Sequence, residues 1–203
     1  ISMTGVKKVF GHTTALKNLT FDVKRGEIFG FLGPSGAGKT TTIKLLTRQL
    51  KADQGEIWVF SRTVAEMNSH DDDRIGIQTD TSGVYGRLSV LENINLFASL
   101  RNIKKGQAEA VLKDVGLYED RSKLVKALSR GMKQRLVLAQ AIVHQPELLF
   151  LDEPTASLDP GTSADIHELL LRLNREGATI FLTTHNMEEA DKLCGRVAFL
   201  NEG

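Results

Sequence analysis

Residues 33–40 read GPSGAGKT and satisfy the pattern GxxxxGK(S/T). Glycines at this spacing let a backbone turn tightly enough for its N–H groups to face phosphate oxygens. Lys39 then reaches toward the β- and γ-phosphates, and the Thr40 hydroxyl is placed to ligate Mg²⁺. A helix starting at this point adds a positive partial charge of roughly half a unit. The chemistry implied by Gly33, Pro34, Ser35, Gly36, Ala37, Gly38, Lys39, Thr40 and Thr41 is the binding of a nucleoside triphosphate. A second group lies at 147–153, ELLFLDE, an apolar run tipped by two carboxylates. Asp152 suits Mg²⁺, which prefers oxygen ligands and keeps several waters. Glu153 is placed to orient or deprotonate an attacking water. His185 follows another apolar run, where a neutral imidazole donates to a γ-phosphate or bridges to Glu153. His12, His70, His144 and His167 occupy no comparable position.

Particular elements must hold these groups. Residues 27–32, EIFGFL, have strand character, and from 41 to 50 Ile43, Leu45, Leu46 and Leu50 recur at helical spacing. That strand, loop and helix order is the context the glycine-rich motif requires. Upstream, 2–10 and 15–23 read as two strands around a Gly11-His12 turn, with Leu19, Phe21 and Val23 alternating with polar residues. A short strand at 56–60 carries Trp58 as a packing residue, and another is expected at 74–77. His70, Asp71, Asp72 and Asp73 lack metal-ligand spacing and read as a solvated turn. From about 87 to 130 the pattern is helical, with Ser89 as an N-cap, and forms an insertion in the core. Ser129 reads as the N-cap of a further helix containing Leu136, Leu138 and Ile142. The last third alternates strands (148–151, 178–183, 196–200) with helices (161–176, 187–193). The expected fold is therefore α/β: a mainly parallel sheet flanked by helices, an N-terminal antiparallel β subdomain and a helical insertion. In such a sheet ligands sit at the C-terminal strand ends, where every candidate group falls.

Bulk properties narrow the function classes. The 203 residues allow one substantial core, so 1–203 is expected to be a single domain trimmed at both ends. A net charge of +1 gives no electrostatic case for nucleic acid or for an anionic membrane surface. The single cysteine, Cys194, leaves no internal disulfide and fits a reducing cytosol. No uninterrupted apolar stretch approaches the ~20 residues that cross a bilayer, and the N-terminus does not read as a signal peptide.

The phosphate loop, LSRGMKQR at 128–135, LLFLDEP at 148–154, SLD at 157–159 and TTH at 183–185, in this order, resemble the nucleotide-binding domain of ATP-binding-cassette proteins. The resemblance covers essentially the whole chain. It implies a P-loop NTPase with a RecA-like core, ATP and Mg²⁺ as cofactors, and a head-to-tail dimer with a second nucleotide-binding domain. Each ATP would lie between one subunit's phosphate loop and Ser129 and Gly131 of the other. It also implies that Glu153 is the general base, Asp159 spans the dimer interface, His185 is the switch histidine and Phe10 stacks on adenine. The alternative for Phe10 is an edge-strand aromatic, the less favoured reading. Arg130 and Met132 depart from the family's usual LSGGQ, and the form LSxGMKQR resembles the branch that exports drugs, antibiotics, lipids or polysaccharides. The family's Q-loop position falls on Asp80 by counting back from 83–93, with Gln78 the alternative; either offers an oxygen to Mg²⁺ or water. The segment from there to Glu92 is where family members dock an integral membrane permease chain, which would put this chain on the cytoplasmic face of the cell membrane. Rival readings are a soluble cassette ATPase acting on ribosomes or DNA, and a small-molecule phosphoryl transferase.

Overall fold

The computed structural model describes residues 1–79, 83–101, 103, 106–156, 158–201 and 203. The chain opens with strands β1 (Ser2–Phe10) and β2 (Thr13–Asp22), then β3 (Ile28–Leu32), helix α1 (Lys39–Leu46), β4 (Gln54–Val59) and β5 (Arg62–Thr63). Next come α2 (Ser69–Asp72), β6 (Ile75–Gln78), α3 (Val90–Leu100), α4 (Gln107–Asp114), a 3-10 turn at Val125–Ala127 and α5 (Arg130–Ile142). It closes with β7 (Leu148–Asp152), α6 (Pro160–Arg175), β8 (Thr179–Thr184), α7 (Met187–Leu193) and β9 (Arg196–Phe199).

Two sheets result. One runs β2-β1-β4-β5 and is antiparallel; the other runs β6-β7-β8-β3-β9 and is parallel throughout. The α/β fold with an antiparallel subdomain and a helical insertion is thus as expected. Strands β3, β7 and β8 are buried along their whole length, so both faces of the parallel sheet are covered. Successive side chains on a strand point to opposite faces, which splits the core in two. Leu149, Leu151, Ile180 and Leu182 pack with the helical layer of α3 to α7. Phe29, Phe31, Leu148, Phe150 and Phe181 pack with α1 and with Met3, Val6, Leu16, Ile57 and Val59 of the antiparallel sheet. Phe181 is the hub of that second layer: its ring centroid lies 5.5–5.9 Å from those of Phe21, Phe29, Phe31 and Phe150. Trp58, expected as packing, faces outward from β4 and is exposed.

Two local expectations are corrected. Helix α1 ends at Leu46 rather than continuing to 50, because Thr47 caps it and Arg48 turns left-handed at φ 61. The Arg48 guanidinium then spans to the Met67 carbonyl and the Asp72 carboxylate. Residues 70–73 belong to the end of the short helix α2 rather than to a simple turn; His70 and Asp73 are exposed as expected, but Asp71 is buried, its side chain accepting from the amide of the capping Asn68.

Candidate functional site

The phosphate loop runs from the end of β3 into α1. Gly38, the residue that precedes the helix, has φ 111, and a Cβ there would stand 2.8 Å from the Ala15 carbonyl oxygen and from Leu16 Cδ2. Only glycine meets both conditions. Because the capping position is a glycine, no side chain accepts a bond from the first N–H groups of α1, and its first turn carries no acid. By contrast α3, α5, α6 and α7 are capped by Ser89, Ser129, Asp159 and Asn186. The N-terminus of α1 therefore presents donors and dipole to an outside anion. Lys39 is nearly buried, and its ammonium donates to the Gly33 carbonyl (2.6 Å) and the Pro34 carbonyl (3.1 Å) at the mouth of the loop.

The adjacent strands β7 and β8 bring the remaining polar groups to the same end of the sheet. Asp152 ends β7 opposite Thr183 of β8. Its carboxylate accepts from the Thr40 hydroxyl at 2.6 Å on one oxygen and from the buried Thr183 hydroxyl on the other. Thr40 and Asp152 thus set a hydroxyl and a carboxylate side by side, a hard oxygen pair that fits Mg²⁺ and not a soft metal. Glu153 follows with φ 52, a left-handed conformation that side chains rarely adopt. Its carboxylate meets His185 Nδ1 at 2.8 Å and lies 3.6 Å from the Lys39 ammonium. An imidazole that donates from Nδ1 to Glu153 retains Nε2 as an acceptor. Donation to Glu153 and to a phosphate together requires the imidazolium.

These groups line one open cleft of about 700 Å³. The loop and Thr41 form one wall, Asp152, Glu153 and His185 another, and Ala15, Arg130 and Ala156 contribute at the rim. The cleft brings together Lys39, Thr40, Thr41, Asp152, Glu153 and His185. Phe10 stands exposed at the tip of the hairpin that also supplies Ala15. Ser129, Gly131 and Asp159 do not line it. Ser129 is exposed and accepts from the Met132 amide, and Gly131 is half-buried in the first turn of α5. The Asp159 carboxylate caps α6 through the Thr162 amide (2.9 Å) and hydroxyl (2.7 Å); the amide bond is the main reason its pKa is held low. Gln78 is buried at the end of β6, and its side-chain oxygen has no hydrogen-bond partner among the described residues. Asp80 lies outside the described residues.

Two residues absent from the sequence-based set touch this machinery. Thr183 holds Asp152, and the Gln134 side-chain amide donates to the Glu153 and Pro154 carbonyls at 2.7 and 3.0 Å. Both belong to stretches that the resemblance marked, TTH and LSRGMKQR, but their partners come from other elements.

Known proteins resemble this chain. The chain is 44% identical over 189 residues to the fluoroquinolones export ATP-binding protein of Mycobacterium tuberculosis, covering 93% of this chain and 63% of that protein. It is 39% identical to the bacitracin transport ATP-binding protein BcrA of Bacillus licheniformis, covering 100% of this chain and 67% of that one. The chain therefore spans under two thirds of the length of the mycobacterial relative. Its backbone superposes with a TM-score of 0.91, at 27% identity, on a dimeric post-hydrolysis ATP-binding cassette bound to ADP and Pi, over 100% of this chain and 94% of that one. The family described as ABC transporter matches residues 16–156, more than half of the sequence, and the chain belongs to that family.

Proposed function

We propose that this chain binds and hydrolyses ATP as the energy-supplying subunit of an export transporter. The observation that carries the reading is the convergence in one cleft of an uncapped helix N-terminus with Lys39, the Thr40–Asp152 oxygen pair and Glu153 bridged to His185. The loop amides and Lys39 bind the β- and γ-phosphates. Thr40, and Asp152 through bound water, would hold Mg²⁺, which would supply positive charge against the phosphate oxygens. The Glu153 carboxylate orients a water in line with the γ-phosphorus and accepts its proton, while His185 fixes the carboxylate. Phe10 stacks on the base. Gln78 or Asp80 would offer a further oxygen to Mg²⁺ or water.

A second cassette, either another copy or a homologous chain, completes the arrangement head to tail. Its Ser129 and Gly131 cover the γ-phosphate, and Asp159 lies at the shared interface. The exposure of Ser129 and Asp159, and the position of all three outside this chain's own cleft, support that reading. Because ATP touches both faces only when they are closed, binding favours closure and hydrolysis releases it. A separate permease chain would carry the cargo, docked near Tyr85, with this subunit on the cytoplasmic face of the membrane. Tyr85 is exposed, and its backbone is pinned by the buried Asn93 side chain on both sides (2.8 and 3.0 Å). The export assignment follows the relatives named for fluoroquinolones export and bacitracin transport, so the expected cargo is of the drug or antibiotic type.

The test is Glu153→Gln in the full-length protein. Turnover should fall about 10²–10⁴-fold, the range for loss of a general base, while ATP affinity is kept and ATP-bound dimers accumulate in size-exclusion chromatography. Wild-type turnover in this variant would refute the assignment.

A further inference from the structure

Helix α5 has a double position. Its N-terminus carries Ser129 and Gly131, which do not line the chain's own cleft, yet its first turn also reaches into that cleft. Arg130 lines the rim, and Gln134, four residues on and so on the same helical face, reaches the catalytic segment. The Gln134 Nε2 group donates to the carbonyls of Glu153 (2.7 Å) and Pro154 (3.0 Å), bridging 19 and 20 residues of sequence.

The location of this bridge matters because Glu153 is left-handed, at φ 52. A glutamate has no local reason to hold that conformation, which persists only where the surroundings over-determine it. Three bonds do so. The Glu153 amide donates to the Thr183 carbonyl at 3.0 Å, the Glu153 carbonyl accepts from the Ala156 amide at 3.2 Å, and the same carbonyl accepts from Gln134. The first ties Glu153 to the sheet and the second is internal to its turn. Only the third comes from the helical layer. Rotation of the Glu153 peptide swings its carboxylate away from His185, and misplacement of a reacting group by about 1 Å can cost 10²-fold in rate.

We infer that Gln134 is a positioning residue: its amide locks the Glu153–Pro154 backbone and thereby ties the N-terminus of α5 to this chain's own water-activating carboxylate. The inference rests on the reading of Glu153 as general base. It has a consequence for the dimer. The helix end that covers the partner's nucleotide is linked to the base acting on this chain's own nucleotide, so engagement at one site is felt in the geometry of the other.

Three variants of the full-length protein test this. Gln134→Met keeps the length and removes the donor, Gln134→Lys keeps a donor, and Glu153→Gln reports on the base itself. ATP turnover, KM for ATP and the melting temperature are measured for each. Gln134→Met should lower kcat about 10- to 100-fold with KM within twofold of wild type, and Gln134→Lys should restore most of the loss. A role in folding alone would lower the melting temperature of both Gln134 variants and spare the kcat-to-KM split. The inference is overturned if Gln134→Met turns over within twofold of wild type, or if Met and Lys lose kcat equally. If Glu153→Gln is inactive while Gln134→Met is normal, only the positioning role fails. If Glu153→Gln is itself normal, the reading beneath it fails.

Discussion

Replacing Thr183 by Val isolates one interaction in the site. The side chain is fully buried on β8, and its hydroxyl donates to one oxygen of Asp152, whose other oxygen accepts from Thr40 at 2.6 Å. Valine keeps the shape and the β-branched fit to the strand, so the change removes a donor and little else. A hydrogen bond to a charged group contributes about 1.5–3 kcal/mol, and Asp152 is only 6% exposed, so water replaces little of it. For a chain of this size about 2–4 °C accompanies each kcal/mol. The expected fall in melting temperature is therefore about 3–12 °C, read by differential scanning calorimetry. On the proposed reading of Asp152 as a metal-holding carboxylate, function should suffer as well, because a donor behind such a carboxylate typically governs about 10- to 100-fold in affinity or activity. Thr183→Ser is the control. It keeps the hydroxyl and loses one methyl, about 0.5–1.5 kcal/mol of stability by analogy with Ile→Val, and should hold turnover within a few-fold of wild type. If Thr183→Val melts within 1 °C of the parent and turns over at its rate, the bond does not orient Asp152 and the argument fails.

Other expectations follow from the same structure. Lys39→Ala removes the cation over the loop; losing one charged bond of about 1.5–3 kcal/mol should raise the Kd for ATP about 10- to 150-fold, and near-native calorimetric affinity would contradict the role. His144 should give the protein an acid-sensitive limb. Burial, aided by the Arg101 charge, pushes its pKa down to about 4 from 6.5, and its Nδ1 is buried without a partner among the described residues while Nε2 meets the Ile75 carbonyl. The unfolded chain takes up this proton near pH 6.5 and the folded one only near pH 4, so the contribution is complete above pH 6.5 and is lost as pH falls toward 4. Its size, discounted for the part of the ring that solvent reaches, is on the order of 1–3 kcal/mol. His144→Gln should flatten the difference between urea midpoints at pH 7 and pH 4.5, and an unchanged slope would rule out this histidine as the cause. Gly76→Ala would place a Cβ 2.2 Å from the Ala141 carbonyl oxygen, forcing α5 off β6, so it should cost about 1–3 kcal/mol of overpacking. A melting temperature equal to the parent's would show that the helix yields freely.

The parts of the site that sequence reveals are those whose chemistry is local. Residues 33–40 carry their backbone requirement in the glycines themselves, and the uncapped start of α1 follows from having Gly38 where α3, α5, α6 and α7 have Ser, Asp or Asn. Ser89 and Ser129 are legible as caps for the same reason, since a cap and the amide that donates to it lie within three residues. Where the partner is remote, the sequence is silent. Asp71 looked solvated because three acids in a row usually are, yet Asn68 and Arg74 hold it in place. Arg48 ends α1 early because its guanidinium is drawn to Met67 and Asp72, about 20 residues on, a pull no helical periodicity encodes.

The deepest of these silences concerns strand order. The loop follows β3, the two acids end β7 and the histidine follows β8, and they meet because the sheet runs β7-β8-β3. Nothing in the spacing of 33, 152 and 185 states that adjacency. The aromatic layer beneath accounts for it in physical terms. Phe29 lies opposite Phe181 and Phe181 opposite Phe150 across the parallel ladder, so large rings from three strands stack on one face. A slip of one residue in the β7–β8 ladder would turn a phenylalanine to the wrong face and move Asp152 away from Thr183. The register that packs the rings is the register that sets the Thr40–Asp152–Thr183 chain of bonds. The precision of the polar cleft is thus supplied from below, by apolar residues that never touch a phosphate.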